Sequence, residues 1–128
     1  MSMTEELLSI SEVAEATGLT AHTLRYYERA GLMLHEVDRA SSQHRRYSTA
    51  DVNWIVFLTR LRSTSMPIAR MLEYVELVRR GDETVEARRD LLVMHRVSVA
   101  AQQETIAQSL AAIDYKINTY ETMKAGRQ

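Results

Sequence analysis

The apolar positions of the chain change period several times, and each change marks an element. From Ser11 to Leu32 the pattern is that of two short helices joined by a tight turn. Ser11 and Thr20 each carry a hydroxyl that can accept from the free amide two or three residues on, as a helix N-cap does. Gly18 and Gly31 stand where a helix end calls for a left-handed residue. At about 100° per residue, Leu24 and Tyr27 share one side of the second helix, while His22, Arg25, Tyr26 and Arg29 gather on the other. After Gly31-Leu32 the helical period is lost. Residues 35–39 and 43–47 flank the small polar turn Ala40-Ser41-Ser42, which reads as a hairpin.

Helical spacing then returns. Ser48-Thr49-Ala50-Asp51 predicts a capping box in its Asp variant, opening a helix over about 49–62 whose face is Trp54, Ile55, Leu58 and Leu61, with Val52 and Phe57 beside it. That stripe reads as core before it reads as a ligand pocket. Ser63-Thr64-Ser65 interrupts the pattern, and Pro67 suits the first turn of a further helix over about 67–80, where a missing amide costs nothing. Its apolar side is Ile68, Met71, Leu72, Val75 and Val78. Arg79-Arg80-Gly81 close it, with cations at the negative end of the helix dipole and glycine beyond.

From Asp82 to Met123 there is neither glycine nor proline, which predicts a single helix roughly 60 Å long. Val85, Leu92, Val99, Ile106, Ile113 and Tyr120 recur every seven residues, and Leu110, Ile117 and Met123 supply a second position in the later half. This is a coiled-coil seam. In the first half the second position is polar or basic: Arg88 or Arg89, His95 or Arg96, Gln102 or Gln103. Packing on its own domain is the alternative, but a helix this long outreaches a domain of about 80 residues. Pairing between chains is therefore expected, through Leu92, Val99, Ile106, Leu110, Ile113, Ile117 and Tyr120.

The expected fold is mainly α: a winged helix-turn-helix DNA-binding domain over 1–81, with the helix-turn-helix over about 11–31 and a β-hairpin wing over about 34–47, then a dimerisation helix and short tail over 82–128. The 128 residues suit one small domain with a helical extension. Net charge is −1, so any positive charge meant for phosphate has to be concentrated on one face. It is: from Thr20 to Tyr47 five arginines stand against three acidic side chains, whereas Glu5, Glu6, Glu12 and Glu15 make the preceding stretch acidic. Arginine offers a planar fork to phosphate or guanine edges, and tyrosine can stack on sugar or donate to phosphate. The second helix alone could equally be a solvated face that carries arginines. A basic hairpin behind it tips the reading toward DNA, with His22, Arg25, Tyr26, Arg29, Arg39, His44, Arg45, Arg46 and Tyr47 as the binding set.

Cysteine is absent, which removes disulfides, thiolate metal sites and thiol switches. His22, His35, His44 and His95 lie at no metal-ligand spacing, and His95 reads as a surface or interface residue. No nucleophile, acid–base pair or phosphate loop can be assembled, so neither an enzyme nor a cofactor is expected. No apolar run approaches the roughly 20 residues of a membrane span, and the start lacks a signal-peptide pattern. The expected location is the cytoplasm.

Ile10-Ser11-Glu12-Val13-Ala14, Gly18-Leu19-Thr20, Thr23-Leu24-Arg25-Tyr26-Tyr27-Glu28 and Gly31-Leu32 resemble the signature of the MerR family of bacterial transcription regulators. The likeness continues through Arg45-Arg46-Tyr47, Asp51-Val52 and Gly81-Asp82. Within the family the chain is most similar to the small branch associated with aldehyde and thiol stress, across residues 54–58 and 81–88. It departs from the family pattern in lacking a proline soon after Gly31-Leu32 and in holding Gln43-His44 where a Gly-Tyr pair is usual. Arg60 occupies the position at which aldehyde-responsive relatives often carry a cysteine.

The resemblance implies antiparallel pairing of the long helices, double-stranded DNA with an inverted-repeat operator in a long promoter spacer, and distortion of that DNA so that RNA polymerase engages both promoter elements. By position it implies His22 on a base edge, Arg25 and Arg45 on phosphate or base, Arg39 on phosphate, and Tyr26 and Tyr47 in backbone packing. A small-molecule effector, of unknown identity, would sit between the start of the long helix and the two helices before it. An effector-free DNA-bending protein of architectural or excision type, and a coiled-coil adaptor, are the alternatives that the residues leave open.

Overall fold

A computed structural model describes residues 7–34, 38–39 and 45–127. The elements run β1 (Leu8–Ser9), α1 (Ile10–Thr17), α2 (Ala21–Arg29), β2 (Asp38–Arg39), β3 (Arg45–Tyr47), α3 (Thr49–Ser63), α4 (Ile68–Arg79), a 3-10 turn (Asp82–Thr84) and α5 (Val85–Ala125). The chain divides into two compact units that part between Arg89 and Asp90.

The first helix begins two residues earlier than expected, and its N-cap is Ser9 instead of Ser11. The Ser9 hydroxyl accepts from the Glu12 amide at 3.2 Å, and Glu12 Oε1 accepts from the Ser9 amide at 3.0 Å. Two orphan donors are thereby satisfied reciprocally. Ser11 has Ala14 three residues on and cannot close such a box. At the other end Gly18, with φ +73°, donates to the Ala14 carbonyl at 2.9 Å.

Leu8–Ser9 also forms a strand that the sequence reading lacked. The sheet is antiparallel with order β1-β3-β2: Leu8 opposes Tyr47, Ser9 opposes Arg46, Asp38 opposes Arg46 and Arg39 opposes Arg45. The expected hairpin thus exists as β2 and β3, with its outer edge β3 covered by the chain just ahead of α1. The turn Ala40-Ser41-Ser42 and the Gln43-His44 pair lie outside the described residues, as does His35.

α1 packs against α2, α3, β1 and β3, and α3 packs against α4. Val13, Leu24, Tyr27, Leu32, Tyr47, Ile55, Leu58, Leu61, Met71 and Val75 fill the core between them. Ser48 and Asp51 form the expected capping box, at 3.1 and 3.0 Å. α3 ends where Ser65 takes a left-handed φ of +72°, the Ser65 amide donating to Arg62 and the Met66 amide to Leu61, both at 3.0 Å. This is a Schellman closure built on a serine. Pro67 is the extended cap residue of α4 and precedes its first turn.

On α4 the buried positions are Met71, Tyr74 and Val75. Leu72, expected in the core, is 38% exposed, and Tyr74 is 9% exposed. The buried stripe is rotated toward Tyr74 because that ring has aromatic partners on α3: Trp54 stacks on it at 5.9 Å and Phe57 meets it at 5.8 Å. α5 is a continuous helix of 41 residues. Ile106, Leu110, Ile113, Ile117 and Tyr120 are exposed in this single chain, and Leu92 and Val99 are half-buried.

Candidate nucleic-acid interface

The helix α2 is fixed at its start, along its inner face and at its exit. Thr20, in an extended conformation, accepts from the Thr23 amide at 3.1 Å. Leu24 and Tyr27 are 2% and 4% exposed, so the orientation of the helix is set by two core side chains one turn apart. The opposite face is left to solvent: His22, Arg25, Tyr26 and Arg29 are all exposed. At the exit Gly31, with φ +79°, permits the Gly31 amide to donate to Glu28 at 3.2 Å and the Leu32 amide to donate to Tyr27 at 3.0 Å. This Schellman motif ends the helix abruptly and carries the buried Leu32 back into the core.

The remaining candidates sit on the sheet. Arg46 is half-buried on β3. Glu12, in the first turn of α1, has its carboxyl held below the usual carboxylate range, first by the hydrogen bond from the Ser9 amide and then by the Ser9 hydroxyl; desolvation opposes them, and the Arg46 charge is the least of the four influences. Tyr47 follows Arg46 on the strand and points to the other face, since successive strand residues alternate. It is 1% exposed. Its expected place beside DNA is thus corrected to one inside the core, where it holds β3 against the helices. The strand backbones at Arg39 and Arg45 are described, but their side chains, like all of His44, lie outside the described residues.

The four residues after the helix belong to neither helix nor strand, yet their carbonyls are taken by side chains from α3 and α4. Trp54 Nε1 donates to Leu32 at 2.8 Å. Arg79 donates from Nε to Leu34 at 3.0 Å, and from Nη2 to Gly31 at 3.2 Å and to Met33. The sequence reading assigned Arg79 only to the helix dipole. No periodicity could have revealed its reach, although a tryptophan on an apolar stripe is a signal that an acceptor lies nearby.

Beside this turn lies an open cavity of about 520 Å³ lined by Leu34, Ala50, Asn53, Trp54, Phe57 and Tyr74. Trp54 and Phe57, expected as plain core, are half-buried along it. Burial pushes the Tyr74 hydroxyl up, with the nearby Arg88 charge opposing. At the start of α5, Arg88 donates back to the Thr84 hydroxyl at 2.9 Å and to the Gly81 carbonyl at 2.6 Å, and buried Thr84 reaches the Leu77 carbonyl. Among the described residues no group of three or more side chains is placed to hold a metal ion, and no helix is long and apolar enough to cross a membrane. Arg60 is exposed.

This arrangement has known counterparts. The family described as MerR HTH family regulatory protein matches residues 8–76. The HTH-type transcriptional regulator AdhR of Bacillus subtilis (strain 168) is 44% identical over 89 residues, 70% of this chain and 63% of AdhR, so the match spans less than two thirds of that relative. An HTH-type transcriptional regulator of Haemophilus influenzae is 31% identical over 115 residues, 90% of this chain and 84% of its own length. Among solved structures, HiNmlR, a MerR family regulator lacking the sensor domain and bound to promoter DNA, is similar with a TM-score of 0.83 at 30% identity, covering 94% of each chain. A matched segment that takes in the capped helix pair, the sheet and most of α3 and α4, together with these likenesses, makes the chain a member of the MerR family of helix-turn-helix regulators.

Proposed function

We propose that this protein is a cytoplasmic, homodimeric transcription regulator that binds an inverted-repeat operator within a promoter spacer and distorts it to control RNA polymerase. The observation that carries the reading is the division of α2: Leu24 and Tyr27 are locked in the core while His22, Arg25, Tyr26 and Arg29 are displayed together. A helix held in that way can enter a major groove, with His22 on a base edge, Arg25 on phosphate or base, and Tyr26 packed on the backbone. Arg29, Arg39, Arg45 and Arg46 supply the surrounding positive charge, His44 stands with them as a DNA-binding residue of the wing, and Tyr47 supports the wing from within. The DNA-binding domain is residues 1–81.

The exposed seam of Ile106, Leu110, Ile113, Ile117 and Tyr120 supports pairing of two α5 helices, as an antiparallel coiled coil, because such a stripe gains by being covered. A dimer matches an inverted repeat by symmetry. Distorting its DNA costs several kcal/mol, of the order of 1–6 for bends of this class, which two recognition helices and two wings together offset. HiNmlR, a MerR family regulator solved on promoter DNA, supports the reading of this fold as a DNA-binding regulator.

The reading is tested by selecting bound fragments from genomic DNA and transcribing the recovered promoters with purified polymerase. It predicts enrichment of promoter spacers that contain inverted repeats, with altered transcription on adding the protein. Fragments without a shared repeat, or transcription indifferent to the protein, would count against it.

A further inference from the structure

The turn that leaves the recognition helix is held from outside itself. Gly31, Leu32, Met33 and Leu34 are consecutive, and every one of their carbonyls accepts from Trp54 or Arg79, which lie 22 and between 45 and 48 residues further along the chain. Three of the four acceptors belong to Arg79. A guanidinium can serve them together because its donors are fixed in a planar fork, whereas an ammonium is a point charge on a flexible stem. The fork is directed at the turn through Nε and Nη2, while among the described residues Nη1 makes a loose approach of 3.9 Å to Glu76.

Arg79 stands in the last turn of α4, and the end of that helix is itself anchored where Thr84 meets the Leu77 carbonyl. The recognition helix, by contrast, has a single turn of buried contacts in Leu24 and Tyr27. Two core side chains near the middle of a short helix fix which face points inward. Tilt about them is resisted by what holds the ends. The N-terminal end has the Thr20 cap, and the C-terminal end has the turn gripped by Arg79 and Trp54.

We infer that Arg79 is a positioning residue for sequence recognition: it never meets DNA, and it sets the angle of α2 by clamping the carbonyls of Gly31, Met33 and Leu34, with Trp54 holding Leu32 beside them. This rests on the reading of α2 as the recognition helix. A loosened turn leaves the positive face intact but lets the helix settle at several angles, so base contacts suffer while phosphate attraction does not. The affected quantity is the ratio of specific to non-specific affinity.

The test measures binding of the full chain to its selected operator and to a scrambled duplex of equal length, over a range of salt, for wild type, Arg79→Ala, Arg79→Lys, Trp54→Phe and Arg80→Ala. Arg80 is the exposed neighbour and controls for loss of one positive charge. Arg79→Ala is expected to weaken operator binding about tenfold, the factor that follows from losing hydrogen bonds of a charged donor. Scrambled-duplex affinity and the salt slope should stay at wild-type values. Arg79→Lys should not restore discrimination, Trp54→Phe should shift it in the same direction by less, and Arg80→Ala should leave the ratio unchanged.

Circular dichroism at the binding temperature, with scrambled-duplex affinity as an internal measure of folded protein, separates positioning from unfolding. Parallel loss of both affinities, a reduced salt slope in Arg79→Ala, or an unchanged ratio would each overturn the inference. A wild-type protein without operator preference would overturn the recognition-helix reading along with it, which keeps the two failures distinct.

Discussion

Trp54 Nε1 donates to the carbonyl of Leu32 at 2.8 Å, so the middle of α3 holds the turn by which the chain leaves α2. Leu32 is fully buried. Replacing Trp54 by phenylalanine keeps an aromatic ring for Tyr74 to stack on while removing the donor and part of the indole's volume. Leaving the carbonyl unsatisfied costs about 1–3 kcal/mol, and urea unfolding of Trp54→Phe should show a loss in that range. A variant as stable as wild type would mean that the turn finds another donor.

The N-cap assignment gives a sharper contrast. Ser9→Ala should cost about 1 kcal/mol of stability, while Ser11→Ala, two residues on and exposed, should lie within experimental error. Equal losses would contradict the capping box.

Glu12 makes that box depend on pH. Its folded pKa is lowered from the ordinary 4.5, so it contributes stability that is present above that value and is lost as pH falls through the folded value. The stability gap between wild type and Glu12→Gln should therefore be constant near neutrality and close on acidification below pH 4.5. A gap that widens toward acid would have the wrong sign for a carboxyl stabilised in its charged form.

These relationships show where the sequence could be read and where it could not. Thr20, Gly18, Gly31, and the Ser48–Asp51 box act through neighbours within a few residues, and their roles follow from type and spacing. The inward side of α2 was legible for the same reason. The Ser9–Glu12 box was also present in the letters, but a second serine two places on competed for the same role. The strand at Leu8–Ser9 was not legible, because two residues carry no period and their ladder is made with β3, far along the chain. Leu72 reads as part of the apolar side of α4, but Tyr74 is the residue buried, because a wheel cannot count the aromatic partners waiting on α3. Arg79 looked like any cation at a helix end, and only the folded path of residues 31–34 gives it acceptors.

The seam on α5 predicts its own test. Ile106→Lys combined with Ile113→Lys puts two charges into the centre of the stripe, and the variant should be monomeric by light scattering with operator binding greatly weakened. Dimers that persist through both changes would move the pairing surface off these positions.

A chain without cysteine cannot be switched through a thiol. Thiol-directed reagents should leave operator binding and transcription unchanged in a purified system, whereas an authentic effector that settles near the aromatic cavity should perturb the fluorescence of Trp54. A dose-dependent response to a strictly thiol-specific reagent would require a target that the sequence does not contain.

The central claim is that the outward face of α2 reads DNA, and the salt dependence of operator binding tests it most directly. Each phosphate neutralisation contributes roughly 0.9 to the slope of log K against log salt, and a good bidentate base contact about 1–3 kcal/mol of discrimination. Measured by fluorescence anisotropy on the selected operator, Arg25→Ala should weaken binding about tenfold or more and flatten that slope, or else relax sequence preference at one position, while His22→Ala should change preference with the slope retained. Wild-type affinity, slope and preference in both variants, with folding intact by circular dichroism, would contradict the account and place the DNA-binding surface elsewhere on the molecule.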